Sequence, residues 1–579
     1  MRRKELVRLR ISQSVKKLIY MGFIGLFMGL LGGLGAIIFR ELIRLNRQVS
    51  FGFLLSLFPY EIFGINITVI FLPAIAGLIV GPIIFRVAPE TKGHGVPEVI
   101  EAVHLHRGRI RGRVALTKIL VSSMTIGFGG SAGREGPIAQ IGASLGSFFA
   151  DRLGLGAKER KLLVVCGLSA GIAGTFNAPL GGVLFGLEVL LGNITLMSAV
   201  PVILAAVAGA AIVEAYYGPY PAFYVPETLT FSNPIELVFY FILGIALGLL
   251  GVFWVKIFYF FEDIYNRMSI PPQYKLCVGG LATGILGFAL IDYGILGVGY
   301  EGIELVLAGE IGLLMALILG LLKILATANT IGSGGSGGVF APSLYIGAMY
   351  GAVLGLLMHS IFPNIVRNPY TYALVGMGAV FAAAAQAPLT MIIMIPEMTN
   401  DYSLLLPMMV ACTMSYVVSR VFLGNSNIYT LKLQRRGVAL FFPHDLSAFE
   451  IIPVSEFMTR EVTVLHPDTT VNEAYEIIRR EGHDCYPVVD EDGNILGRVL
   501  IDDILEVPTH MAHKITIRDI MRRDYIALFE DASLSDAIEK MYSSDYGKIF
   551  IVKRDDPHKL VGIITKTDII RAHKLVASI

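Results

Sequence analysis

Residues 129–142 read GGSAGREGPIAQIG. Apolar stretches long enough to enter a bilayer lie on both sides, so Arg134 and Glu135 stand where charge is expensive. The glycines bare the backbone around them, and Pro137 restarts a helix directly afterwards. The pattern recurs. Gly130–Gly136 and Gly332–Gly338 both read GSxGxxG, 202 residues apart. Further on, Ala178-Pro179-Leu180 precedes Glu188 by eight residues from the leucine. Ala387-Pro388-Leu389 precedes Glu397 by the same eight, at an offset of 209. Two motifs in one order at near-equal offsets mark two homologous halves.

Duplicated halves with interrupted helices point to a transport protein whose site lies at mid-membrane. Irregular backbone is tolerated at that depth only where it is buried or lines a cavity. A helix starting there presents unpaired N–H groups and a partial charge of about +0.5. Such an end binds anions without the full positive charge that would trap them. Taken singly, these glycines would equally serve close helix packing. The matched turns, one with Glu135 and one followed by Val-Phe-Ala-Pro, favour an anion site.

Composition bounds the rest. Charged residues make up 16% of the 579, against about 25% in an average soluble protein. The deficit is local: about 12% before residue 451 and about 30% after it. An integral membrane domain is therefore followed by a soluble one. A net charge of +1 argues against a nucleic-acid partner. Cys166, Cys277, Cys412 and Cys485 form no CxxC pair, which argues against a disulfide framework. The start, residues 1–17, carries seven basic residues and one acid, then Leu18–Phe39 runs without charge. That run is too long for a signal-peptide core and is read as a first membrane helix with a cytoplasmic N-terminus. With the soluble tail also cytoplasmic, the chain crosses the membrane an even number of times.

These residues resemble the CLC family of chloride channels and proton-coupled chloride transporters over most of 15–435. Gly133-Arg134-Glu135-Gly136-Pro137 matches the family's G(K/R)EGP motif, and Gly338-Val339-Phe340-Ala341-Pro342 matches GxFxP. Phe176-Asn177-Ala178-Pro179-Leu180 matches a helix entrance, and Asn427-Ile428-Tyr429 falls where the family has a pore tyrosine. The resemblance implies an α-helical membrane protein with a CLC-type inverted repeat of tilted and interrupted helices. Its halves would lie at roughly 18–215 and 235–435, and it would form a homodimer with one pore per subunit in the cell membrane. It implies chloride as the bound ion and no enzyme activity. Glu135 would be the gating glutamate, released by protonation or by a competing anion. The amides of Arg134, Glu135, Gly136, Phe340 and Ala341 would line an outer site. Those of Val339 and Phe340, with the Tyr429 hydroxyl, would line a central one. Without the resemblance, Tyr429 reads as an interfacial anchor.

Two departures bear on mechanism. The family's central-site motif GSGxP is here Gly93-His94-Gly95-Val96-Pro97, so His94 replaces a serine. Its imidazole could donate to an anion beside Gly95 and respond to pH, or swing toward the cytoplasmic vestibule. The family's internal proton glutamate matches Val189, which cannot titrate, with Glu188 its neighbour. That points to a passive chloride channel, with a chloride/proton antiporter of the same fold as the alternative. Glu397, the repeat mate of Glu188, is expected at a buried helix end. Arg107, Arg109, Arg111 and Arg113, with Lys118, read as a solvated cytoplasmic loop that raises anion concentration at the inner mouth.

After a linker, 436–453, the pattern changes to short strands and helices, again repeated. Val454–Met458 recurs as Ile517–Met521 and Gly497–Asp503 as Gly562–Asp568. Asp492-Gly493 marks a hairpin turn. This resembles α/β tandem CBS domains, at 454–512 and 513–575. Such pairs often bind ATP or another adenine nucleotide; the alternative is a structural pair that binds nothing and stabilises the dimer. The resemblance assigns Thr565 to phosphate and Asp568 to ribose, with Thr463, His483 and Asp484 completing one site. Leu500 stands where the first copy would need its threonine. Other CBS-bearing classes fit less well. None of the histidines opens an HExxH zinc motif. A cation pore would carry rings of acids, whereas the matched turns offer bare amides and one Glu.

Overall fold

The computed structural model describes residues 2–62, 65–192, 195–219, 221–222, 224–226, 229, 231, 233–438, 449, 452–544 and 547–576. The chain divides into two compact units, Met1–Leu440 and Phe441–Ile579. The expected linker, 436–453, falls largely outside the described residues.

The first unit is helical and repeats itself. Leaving single turns aside, its described helices run α1 (Arg2–Arg47), α2 (Leu72–Val87), α3 (Val96–Leu105), α4 (Arg113–Gly127), α5 (Glu135–Arg152), α6 (Ala157–Phe176), α7 (Pro179–Leu184) and α8 (Leu196–Tyr217). The series then recurs as α9 (Glu236–Arg267), α10 (Pro272–Gly287), α11 (Tyr300–Leu307), α12 (Leu313–Gly332), α13 (Phe340–Ile361), α14 (Thr371–Ala385), α15 (Pro388–Thr399) and α16 (Leu405–Leu423). A last turn, α17 (Thr430–Arg435), follows. Packing repeats as well: α1 lies on α8 as α9 lies on α16, and α5 on α6 as α13 on α14. Helix α1 outruns the uncharged stretch 18–39 at both ends. Among the described residues, seven helical segments are long and apolar enough to cross a bilayer. Phe23, Leu116 and Val421 are 72–74% exposed, a surface suited to lipid rather than water. The chain is a multi-pass membrane protein.

Paired contacts at matching positions join the halves. Glu188 accepts the N–H groups of Leu389 and Thr390 at 3.1 and 2.7 Å, capping α15. Glu397 accepts those of Leu180 and Gly181 at 3.0 and 2.7 Å, capping α7. Each acid thus supplies the partner that the proline-started helix of the other half lacks. Ser122 meets Ser336 at 2.8 Å, and the residues 205 positions on and back, Thr327 and Ser131, meet at 3.0 Å. The turns therefore repeat at an offset of 205, as the helix starts Glu135 and Phe340 do, and not at the 202 that aligns GSxGxxG in the sequence.

Lys118 corrects the sequence reading. It is not in a solvated loop but fully buried in α4. Its ammonium donates to the carbonyls of Thr91 and Gly93 at 3.0 and 2.9 Å. Lys323, 205 residues on and equally buried, donates to Gly294, Ile295 and Gly297 at 2.8, 3.2 and 3.1 Å. Each lysine pins the loop that leads into α3 or α11. Those loops need carbonyl partners because Gly95 and Gly299, at φ of +84° and +100°, turn the backbone out of regular structure.

The second unit holds two αβ copies. In the first, α18 (Val471–Glu481) precedes an antiparallel hairpin, β1 (Cys485–Val489) and β2 (Ile495–Leu500), then α19 (Ile501–Leu505). Gly493 takes φ +83° in the Asp-Gly turn. In the second, β3 (Ala527–Phe529), α20 (Leu534–Ser544), β4 (Lys548–Val552), β5 (Leu560–Thr565) and α21 (Lys566–Val576) complete the βαββα pattern. The first copy's opening strand is reduced to one bridge, Leu465 to Val488. His466 turns the chain by accepting the Thr469 N–H, and Pro467 has no N–H with which to extend a ladder.

Candidate functional site

The two Gly-rich turns meet. The Gly133 N–H donates to the Gly338 carbonyl at 2.7 Å, and the Gly338 N–H donates back at 2.6 Å. Directly after that pairing, α5 and α13 begin at Glu135 and Phe340. The loop before α3 joins them: the Gly93 N–H reaches the Gly335 carbonyl at 2.9 Å, and the Gly337 N–H reaches that of Gly93 at 3.3 Å. Three loops that enter helices therefore converge, and their unpaired N–H groups make the convergence electropositive.

The Glu135 carboxylate fills that space. It is 1% exposed. Its Oε2 accepts the Ala341 N–H at 3.4 Å, at the start of α13, and its Oε1 accepts the Tyr300 hydroxyl at 2.9 Å. A Cβ on Gly133 would run into Oε2, so only glycine leaves room for the carboxylate. The turn written by residues 129–142 thus stores a carboxylate where an anion would bind. Phe340, the repeat mate of Glu135, presents an apolar ring instead, 4.9 Å from Phe176 and 4.4 Å from Phe381.

His94, on the loop before α3, lies against Tyr429, which directly precedes α17. Both are buried, with ring centroids 5.6 Å apart, and Phe258 is also 5.6 Å from His94. Tyr429 sits among Phe185 and Phe381, so it is not an interfacial anchor. His94 is not swung out into a vestibule. Neither of its ring nitrogens has a hydrogen-bond partner, a costly state for a buried polar group. An anion beside Gly95 would accept the imidazole N–H. Val339 and Gly136 flank the paired turns, and Arg134 lays its guanidinium over the Tyr300 ring at 5.1 Å. Val189 is buried in a π-helical turn, Phe185–Leu191, that continues α7. Its neighbour Glu188 is committed to α15.

A polar cavity of about 720 Å³ adjoins the His94 loop, with Glu98, Gln140 and Lys432 in its wall. Arg109 and Arg111 line it, but Glu90, Glu98 and Glu101 do too. Lys432 pairs with Glu98 at 2.5 Å and Arg436 with Glu101 at 3.1 Å. The mouth is mixed in charge rather than simply basic.

Sequence reasoning missed Tyr300 and Lys323. Both were reachable through the repeat. Gly297-Val298-Gly299 lies 204 residues after Gly93-His94-Gly95, and Lys323 lies 205 after Lys118.

In the tail, Thr463, His483 and Thr565 line one cavity together with Lys548. At about 90 Å³ it is smaller than the roughly 300 Å³ at which small-molecule pockets begin. Asp484 does not line it but pairs with Lys548 at 2.6 Å, a contact that holds its carboxyl below the usual range. Asp568 turns inward: it accepts the Thr565 N–H and hydroxyl at 2.9 and 2.7 Å, capping α21. Thr470–Glu473, Thr516–Asp519 and Ser533–Asp536 make the same capping arrangement. The signature that suggested ribose binding is thus also a helix start used three more times in this unit.

Known proteins share these features. Residues 76–420 match the family model of the voltage gated chloride channel, and 454–510 and 517–574 each match that of the CBS domain. The "Putative chloride channel protein ClcB-like" of Ralstonia nicotianae is 34% identical over 346 residues, 59% of this chain and 80% of its own. The H(+)/Cl(-) exchange transporter ClcA of Salmonella paratyphi A is 30% identical over 440 residues, 75% of this chain and 92% of its own. The crystal structure of a slow cyanobacterial Cl-/H+ antiporter superposes with a TM-score of 0.64 at 25% identity, covering 72% of this chain and 97% of that one. With a family match over more than half its length and two helix-starting turns closed around one glutamate, this chain belongs to the voltage-gated chloride channel (CLC) family and carries a pair of CBS domains.

Proposed function

We propose that the protein exchanges chloride for protons across the cell membrane, with Glu135 as the group for which both compete. The carrying observation is the Glu135 carboxylate lodged at the start of α13, bonded to the Ala341 N–H. A carboxylate there occupies an anion's place, and a proton on it removes the charge that holds it. The amides of Arg134, Glu135, Gly136, Phe340 and Ala341 form the outer anion site. Those of Gly95, Val339 and Phe340, with the His94 ring and the Tyr429 hydroxyl, form the central one. The exchange reading is supported by the Salmonella relative and the cyanobacterial structure, both named for proton-coupled transport. The polar cavity beside the His94 loop, with its acid Glu98, offers a proton entry that does not use Val189.

A passive chloride channel is the second reading, favoured by the valine at position 189 and by the Ralstonia relative's name. Purified protein in liposomes separates the two. An imposed chloride gradient drives protons uphill if the protein exchanges. Brisk chloride flux with no proton movement leaves the channel.

The protein works as a homodimer with one pore per subunit and with its N-terminus and tail in the cytoplasm. Residues 18–435 form the transport domain, as halves 18–215 and 235–435. Two CBS domains, 454–512 and 513–575, modulate it through an adenine nucleotide at Thr463, His483 and Thr565, with Asp484 reaching the site through Lys548 and Asp568 through Thr565. ATP titrated calorimetrically onto the full-length protein tests this. An absence of binding heat removes the nucleotide role.

A further inference from the structure

We propose that Tyr300 is a latch that holds Glu135 in the anion site and sets the pH at which it lets go. The inference rests on reading Glu135 as the movable gate. The Tyr300 hydroxyl donates to Glu135 Oε1 at 2.9 Å, while the main chain of Ala341 takes only the other oxygen, at the longer distance of 3.4 Å. The shorter bond to the gate therefore comes from a side chain outside the two paired turns. Tyr300 is held in place from three sides. It opens α11 directly after Gly299, whose loop is pinned by the three carbonyl contacts of buried Lys323. A Cβ on Gly299 would approach Lys323 Nζ at 2.7 Å, so the loop lies flat on that ammonium. The same loop is tied to the Glu135 turn, since the Gly297 N–H reaches the Gly129 carbonyl at 3.3 Å and the Ala132 N–H reaches that of Gly297 at 3.2 Å. Arg134 covers the ring.

A phenol donating to a carboxylate favours the ionised, seated form of the gate. When Glu135 takes a proton and leaves, or an anion displaces it, this bond is lost. The charged or titratable groups facing Glu135 are Arg134 beside it, Tyr300 of α11, Lys323 of α12, and Tyr429 ahead of α17. Of these, Tyr300 alone donates a side-chain hydrogen bond to the carboxylate among the contacts described. Its repeat mate is Val96, which has nothing to donate, so the latch belongs to one half.

The test is chloride flux from full-length protein in liposomes as a function of pH, each side varied separately. Tyr300→Phe keeps the ring under Arg134 and removes the hydroxyl. Its activation midpoint moves alkaline by about one to two pH units, the worth of one hydrogen bond to a charged group. In a Glu135→Gln background the same substitution changes nothing, because the carboxylate it acts on is gone. An unmoved midpoint in folded, transporting Tyr300→Phe protein overturns the latch while leaving the gate intact. A shift that persists in Glu135→Gln also overturns it, since Tyr300 would then act elsewhere. Intact pH dependence in Glu135→Gln alone sinks the gate reading and the latch with it.

Discussion

The two halves of the membrane unit share one backbone and part company at a handful of side chains. Where they agree, the residues are scaffold: Lys118 and Lys323 pin matching loops, Glu188 and Glu397 cap each other's helices, and Ser122–Ser336 answers Thr327–Ser131. Where they differ, the residues gather at the convergence of the turns: Glu135 against Phe340, His94 against Val298, and Tyr300 against Val96. Duplication built a symmetric cradle of main-chain N–H groups. Function then needed that symmetry broken, because two facing carboxylates could not both stay ionised in so small a space.

The largest effect should come from an unmatched position. Glu135→Gln removes the one carboxylate in the site, so flux should lose its pH dependence and any proton coupling should fall to background. Residual strong pH dependence would move the sensor to His94, another unmatched titratable group, and a His94→Ser variant in the same background would then abolish it.

The repeat was the most legible part of the sequence, because glycine, proline and glutamate at fixed offsets are demanded by backbone geometry. Glu135 was legible for the same reason. Lys118 was not. Its neighbours Arg107–Arg113 obey the rule for solvated loops, and only three-dimensional burial shows that its ammonium serves carbonyls. Tyr300 was not legible either, since a tyrosine opening a short helix carries no local mark of what its hydroxyl reaches. In the tail the difficulty is reversed. Thr565 and Asp568 did carry a mark, but T-x-x-D means a capped helix as readily as a ribose site.

The matched lysines give the next largest effect, and they sharpen the comparison. Replacing Lys323 by Met removes three hydrogen bonds and replacing Lys118 removes two, at about 1 kcal/mol for each hydrogen bond lost. Both variants should melt earlier in detergent, Lys323→Met the more so. It should also loosen the loop behind Tyr300 and shift the pH midpoint, whereas Lys118→Met should alter flux through the His94 loop. Equal pH shifts from both would mean that the two loops do not serve separate functions.

The smallest effect belongs to the two capping acids, which tests how far the symmetry extends. Glu188 accepts three bonds, since the Thr390 hydroxyl adds a third at 2.6 Å, and Glu397 accepts two. A glutamine at either position keeps one acceptor oxygen and turns an NH₂ toward the remaining donors. Each substitution should lower thermal stability without changing the pH midpoint, and Glu188→Gln should cost about 1 kcal/mol more, the worth of its additional bond. Glu188 also stands next to Val189, at the position where proton-coupled relatives are expected to carry their acid. If Glu188→Gln abolished proton movement while Glu397→Gln did not, the pair would cease to be scaffold. Half of a symmetric cap would then have been recruited to carry the proton that Val189 cannot.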